Sequence, residues 1–393
     1  MMLMLRRLAV SVSCLVACSQ YALAQEAPEL RGQVREMVAS FQRDHDVPGI
    51  TVAYVIGDAG VESVAVGEAD VEAGIPMAPH SRMLAASIGK TIWGALVLAL
   101  ESEGKLQQSD PVSDYLGSLD WFSRVPNAAT MTVGQLLTHS AGVPDHVHME
   151  GAAGVLAALG EAENFDPAQM IGLVLDEAPL FEAGAGWSYS DTGYLLLGLV
   201  IEAASGQSVY ELAQTRLLTP LGLTETSASD TPRLAGLAVG YTSADNPFGL
   251  PPRTTNPEGV LLWNPVIEWT GGGFVSTSAD LARWGHALYS GAAFEGAYMD
   301  RLLASVPVDP DAPEVRYGSG TAIFQDTPFG MVLGHGGWVP GYVSSLRHYA
   351  DHDVTVAFQI NSDAWQKEGE ADLVAALEAA LAEFLIRQAQ TAQ

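Results

Sequence analysis

A serine and a lysine three residues apart, Ser87 and Lys90, stand at the head of an apolar run, Ala86-Ser87-Ile88-Gly89-Lys90-Thr91-Ile92-Trp93. At that spacing on a helix both side chains share one face, and Ser87 sits near the positive end of the helix dipole. From Ser87 to Leu100 nearly every residue is apolar or small, so a helix here is expected to be buried nearly all round. The other two lysines, Lys105 and Lys367, lie in polar surroundings, whereas no carboxylate lies within four residues of Lys90. An unpaired buried ammonium is costly. Lys90 must therefore take an acidic partner from far along the chain or be held near neutrality, and either makes a working base beside a nucleophile.

The elements that must position this pair are legible in outline. Residues 29–44 read as a helix, and runs at 50–56 and 61–67 around Gly57-Asp58-Ala59-Gly60 read as a β-hairpin. Helical pattern then dominates at 133–139, 168–176, 191–204 and 209–218, followed by a Pro-, Asn- and Gly-rich stretch, 246–265, expected to be a long ordered loop. Strand character resumes at 271–276, a helix is expected over 278–289, and strands at 317–324, 331–334, 342–348 and 354–360. The last two flank Ala350-Asp351-His352-Asp353 and should pair antiparallel; an alanine-rich helix, 370–387, closes the chain. The fold class is α/β of the α+β type: an antiparallel sheet flanked by N- and C-terminal helices, with an inserted, mainly α-helical subdomain. The expected division is 25–105 and 266–393 for the two parts of the α/β subdomain, with 106–265 as the helical one.

Residues 1–24 read as a signal peptide: Arg6-Arg7, an apolar run from Leu8 to Ala17, and Ala22-Leu23-Ala24 as a cleavage site. This predicts an exported, periplasmic or secreted protein, with a lipoprotein anchored through Cys18 as the alternative. Both cysteines, Cys14 and Cys18, fall in that leader, so stability must come from a core rather than from disulfides. The chain of 393 residues is 48% hydrophobic and carries a net charge of −28, which argues against nucleic acid and anionic membranes as partners. No apolar stretch reaches the roughly 20 residues of a membrane span.

Two later clusters extend the opening pair: Ser188-Tyr189-Ser190-Asp191-Thr192-Gly193-Tyr194 before an apolar helix, and His335-Gly336-Gly337-Trp338 at the edge of a strand. In this order Ser-x-x-Lys, Tyr-x-Asp and His-x-Gly resemble the serine β-lactamase-like superfamily of penicillin-recognising hydrolases. Further landmarks agree, among them Leu136 to Gly142, Pro220 to Leu223 and Gly272 to Thr277. The resemblance implies Ser87 as the acylated nucleophile, Lys90 as its activator and Tyr189 as a proton shuttle whose pKa a nearby ammonium lowers. It implies an oxyanion hole from the backbone N–H groups of Ser87 and Trp338, and substrate binding by Asp191, His335, Gly336 and Gly337. His335 stands where class C β-lactamases carry a lysine, and Asp191 where Asn is commonest; Asp191 is the expected partner of Lys90.

These features predict a serine hydrolase acting through an acyl-enzyme on Ser87, on esters or on D-amino-acid or β-lactam-like amides. The alternatives are a class C-like β-lactamase and a non-catalytic protein that binds penicillin or peptidoglycan peptides. Asp145-His146-Val147-His148-Met149-Glu150 offers no third metal ligand and reads as a polar loop at the cleft rim. His139-Ser140-Ala141-Gly142 lacks the first glycine of a nucleophile elbow and reads as a helix end. With no Gly-x-Gly-x-x-Gly and no phosphate loop, neither metal nor cofactor is expected, and the partner is a small-molecule or peptide substrate.

Overall fold

The structure is a computed structural model that describes residues 28–160, 165–364, 366–368 and 371–391; the leader, with Cys14 and Cys18, lies outside them. Among the described residues an antiparallel sheet runs in the order Ile75–Pro76, Glu62–Asp70, Gly49–Ile56, Val354–Ile360, Tyr342–Tyr349, Gly330–Val339, Ala322–Thr327, Ala312–Tyr317, Val306–Asp309. The first and last parts of the chain meet at its centre, where Ile50 pairs with Ile360 and Ile56 with Val354.

Both faces of these central strands are covered, so they are buried almost throughout and largely apolar, with Thr51, Thr355 and Gln359 as buried polar exceptions. Ile50, Val52 and Tyr54, with Val356, Phe358 and Ile360, face a core shared with the helix 28–44 and the closing helix Leu373–Thr391. Ala53, Val55 and Ala357 face the opposite way, into the large core that holds Trp93, Trp284 and the helical region. Helix Ser278–Tyr289 lies on that second face, capped by Thr277, whose hydroxyl accepts from Asp280 N–H at 3.2 Å.

Two expectations need correction. The run 271–276 is not one strand: a 3-10 helix occupies Pro265–Gly271, and only Phe274–Ser276 is extended, in a small separate sheet with Met83–Leu84 and Ser227–Ala228. The apolar alternation over 317–324 runs across a turn closed by Gly318 N–H to Thr321 O at 2.8 Å, so it belongs to two strands rather than one. His335-Gly336-Gly337-Trp338 lies in the strand Gly330–Val339, on the stretch of it that pairs on one side only. The stretch 246–265 is irregular as expected, pinned by side chains such as Asn246, whose amide donates to Ser243 O and Leu250 O. No described helix is long and apolar enough to cross a membrane.

Candidate active site

The apolar run at Ser87 becomes a 3-10 turn, Ala86–Ile88, leading into helix Gly89–Ser102. Ala86 holds a φ of 49°, a left-handed conformation strained for a residue with a Cβ, and it immediately precedes Ser87. Ser87 is partly exposed while both neighbours are buried. Lys90 is fully buried on the same face, its Nζ 3.1 Å from Ser87 Oγ.

The missing partner comes from 101 residues downstream. Lys90 Nζ donates to Asp191 Oδ1 at 2.5 Å, and also to the carbonyl of Gly271. Asp191 opens helix Asp191–Ser205, where the dipole favours a carboxylate, and Ser190 caps that helix by accepting from Gly193 N–H at 3.1 Å. Burial on its own would lower the lysine's pKa; the charge of Asp191 and the contact with Tyr189 outweigh it, so Lys90 is held above its ordinary value and stays charged.

Tyr189 O–H donates to Ser87 Oγ at 2.8 Å, and Lys90 Nζ lies 4.8 Å from the centre of its ring. The expected lowering of its pKa does not occur. Burial pushes the phenol up to about 12, outweighing the pull of Lys90, so the resting group is neutral. The loop carrying it hangs on His139: Ser188 N–H donates to His139 O at 3.0 Å, Ser190 N–H donates to His139 Nδ1 at 3.2 Å, and the imidazole packs 4.2 Å from the tyrosine ring. Sequence reasoning left His139 as a helix end. Its φ of 57° and its place beside Tyr189 make it a positioning residue.

Opposite Ser87 runs the strand Gly330–Val339. Its pairing with Ala322–Thr327 stops at Gly334, so from His335 onward only Tyr342–Tyr349 flanks it, and the free edge closes on the Ala86–Ile88 turn. Gly337 makes that approach possible, because a Cβ there would lie 2.5 Å from Ala85 O. Trp338, 42% exposed, lines the same cavity as Ser87, and Ser344 Oγ of the adjoining strand Tyr342–Tyr349 donates to Ala85 O at 2.8 Å.

His335 is buried with both ring nitrogens engaged. A carbonyl can only accept, so Nδ1 carries the proton toward Gly336 O at 2.5 Å and Nε2 accepts from Tyr317 O–H at 2.7 Å. Burial, with the charge of Lys90 behind it, pushes His335 down to about 3, so it is neutral. The loop at Asp145 joins the site. Asp145 accepts from Asp191 N–H at 3.3 Å, while His146 is buried, neutral and hydrogen-bonded to Thr192.

In front of Ser87 lies a cavity of about 370 Å³ with Asp191 and Glu268 on its wall and an apolar side built largely from the 246–265 stretch, including Phe248, Leu261 and Trp263. A neutral hydroxyl held by a charged lysine and a phenol, facing two converging backbone elements, is suited to attack on a carbonyl.

Comparison with known proteins agrees with this geometry. The family model described as Beta-lactamase matches residues 34–381. The chain belongs to the beta-lactamase family. Among similar proteins, Penicillin-binding protein 4 of Amycolatopsis lactamdurans is 26% identical over 320 residues, covering 78% of this chain and 77% of that one. Esterase EstB of Burkholderia gladioli is 28% identical over 298 residues, covering 72% and 71%. The D-amino acid amidase of Ochrobactrum anthropi SV3, solved with L-phenylalanine amide, superposes with a TM-score of 0.76 at 19% identity, covering 93% of this chain and 100% of that one. This beta-lactamase-family chain is a serine hydrolase of the superfamily.

Proposed function

We propose that the protein hydrolyses esters or amino-acid amides lacking a carboxylate, through an acyl-enzyme on Ser87, and that it works outside the cytoplasm. The observation that carries the first part is the convergence of Tyr189 O–H and Lys90 Nζ on Ser87 Oγ, at 2.8 and 3.1 Å. In this reading Tyr189 takes the serine proton after losing its own, Lys90 stabilises the phenolate, and the N–H groups of Ser87 and Trp338 bind the oxyanion. Attack of Ser87 Oγ on the carbonyl expels the alcohol or amine with the proton that Tyr189 returns; water then reverses the sequence.

The choice against a β-lactam carboxylate rests on charge. His335, standing where a fixed cation would meet that carboxylate, is neutral, and the carboxyl groups of Asp191 and Glu268 line the same cavity. The names of the esterase and of the amidase favour the same substrates. Export rests on the leader composition alone.

A panel of p-nitrophenyl butyrate, D-phenylalanine amide and a chromogenic cephalosporin tests the substrate, with a fluorophosphonate as active-site label. The expected outcome is a mass adduct on Ser87, absent in Ser87→Ala, with ester or amide turnover exceeding cephalosporin turnover at least tenfold. Cephalosporin turnover equal to the ester's would overturn the substrate assignment, and lack of an adduct in folded protein would overturn the mechanism.

A further inference from the structure

Glu268 is a titratable group on the cavity wall that the acylation chemistry leaves unused. It sits in the Pro265–Gly271 turn, immediately before Trp269, whose φ of 37° and ψ of −116° are strained for a tryptophan. The turn carries the Gly271 carbonyl to Lys90 and at the same time fixes Glu268 against Gly272: a Cβ on Gly272 would lie 2.4 Å from Glu268 Oε2 and 2.8 Å from Ala86 O. The carboxyl is therefore next to the turn that presents Ser87.

Its hydrogen bonding is incomplete. Oε1 of the carboxyl is buried and has no hydrogen-bond partner. Lys90, the nearest cation, cannot supply one: an ammonium has three donors, and these are committed to Ser87 Oγ, Asp191 Oδ1 and Gly271 O. The other acids differ. Asp191 is held by Lys90, and Asp145 accepts from Val147 and Asp191 N–H groups at 3.2 and 3.3 Å. Three carboxyls thus surround one ammonium, and the histidines nearby, 139, 146 and 335, are all held neutral by burial. The site holds no positive charge beyond Lys90, and burial, opposed only in part by that lysine, pushes Glu268 up to about 8.

We propose that Glu268 is the anchor for an ammonium group carried by the substrate, so that the preferred substrates are esters or amides bearing a free amine next to an apolar group. A buried carboxyl with one unsatisfied oxygen gains a charge-assisted hydrogen bond when such a group arrives, and the ionised form is then stabilised. The apolar wall at Phe248, Leu261 and Trp263 receives the hydrocarbon part of the same molecule. The assignment rests on the cavity being the substrate cleft, as proposed above.

The test uses an isosteric pair of probes, phenethylammonium and the neutral 2-phenylethanol, whose binding to the whole protein is measured calorimetrically at pH 7, independently of turnover. The cation is expected to bind at least tenfold more tightly than the neutral probe, and Glu268→Gln to bring the two within twofold. Equal binding of the probes to the wild type would overturn the proposal, as would tenfold discrimination that survives in folded Glu268→Gln. Should the variant fail to fold, the wild-type comparison still decides. Because probe binding does not need Ser87 to react, a protein that discriminates the probes yet forms no fluorophosphonate adduct would sink the acyl-enzyme mechanism while sparing the anchor.

Discussion

At the scale of single residues, the Lys90–Asp191 pair determines which group can act as base. A buried ammonium whose three donors are filled and whose counter-ion lies 2.5 Å away keeps its proton, and the proposed mechanism therefore gives the serine proton to Tyr189. A phenol held up near 12 is ionised in only a small fraction at neutral pH. Hydrolysis should therefore rise with pH, about tenfold per unit between 6 and 9, and Tyr189→Phe should abolish that slope and lower kcat by roughly 10²–10⁴. The charge of Asp191 raises both Lys90 and Tyr189, so Asp191→Asn should move the basic limb to lower pH. A pH–rate profile of the variant superimposable on that of the wild type would refute the pairing's role. Part of this was readable from sequence, since a lysine in an apolar run without a local acid demands a distant one. The direction of the Tyr189 shift was not, because it depends on how deeply neighbours such as His139 and His335 enclose the ring.

At the scale of elements, the site is the meeting of the Ala86–Ile88 turn with the free edge of the strand Gly330–Val339, and the two glycines of that strand are not equivalent. A Cβ at Gly337 would meet Ser344 Oγ at 2.3 Å and Ala85 O at 2.5 Å; one at Gly336 meets nothing closer than 3.9 Å. Gly337→Ala must push the strand off the turn and pull Trp338 N–H away from Ser87, and loss of one oxyanion donor costs about 10²–10³ in kcat. The loss in kcat at Gly337→Ala is expected to exceed that at Gly336→Ala by at least tenfold, with KM less affected; equal losses would mean that the strand edge does not set the site. The sequence marked both glycines alike, since a spacing pattern carries no information on which Cα faces the turn. For the same reason the strand Val306–Asp309 and the strained Trp269 escaped notice: one is a short edge strand containing Pro307, and the other is imposed by tertiary packing.

At the scale of the whole molecule, burial of ionisable groups around one lysine shapes stability as well as chemistry. His139, His146, His335 and His348 are all held below their ordinary pKa by burial, to about 4 for His146 and His348 and about 3 for His335. Their neutral forms are favoured in the fold, so their contribution is complete above about pH 6.5 and is lost as pH falls. Asp145, up to about 6, and Glu268, up to about 8, act in the opposite sense: the fold holds their protons, and their contribution disappears as pH rises through those values. Just below 6.5 the four histidines outweigh Asp145 and Glu268, each proton being worth about 1.4 kcal/mol per pH unit, while burial also raises Glu202, Asp280 and Asp363 and makes the acid limb shallower at lower pH. Between 6.5 and 8 Glu268 alone slopes, downward. The melting temperature should thus peak near pH 6.5 and fall on both sides. Glu268→Gln, which cannot ionise, should flatten the basic limb and raise the melting temperature at pH 8 by a few degrees. Differential scanning calorimetry from pH 4 to 9 decides this, and a basic limb unchanged in the variant would show that Glu268 is ionised in the resting protein. Because turnover climbs with pH through Tyr189 while stability declines through Glu268, the alkaline end of the activity profile is set by unfolding, and the same substitution should extend it.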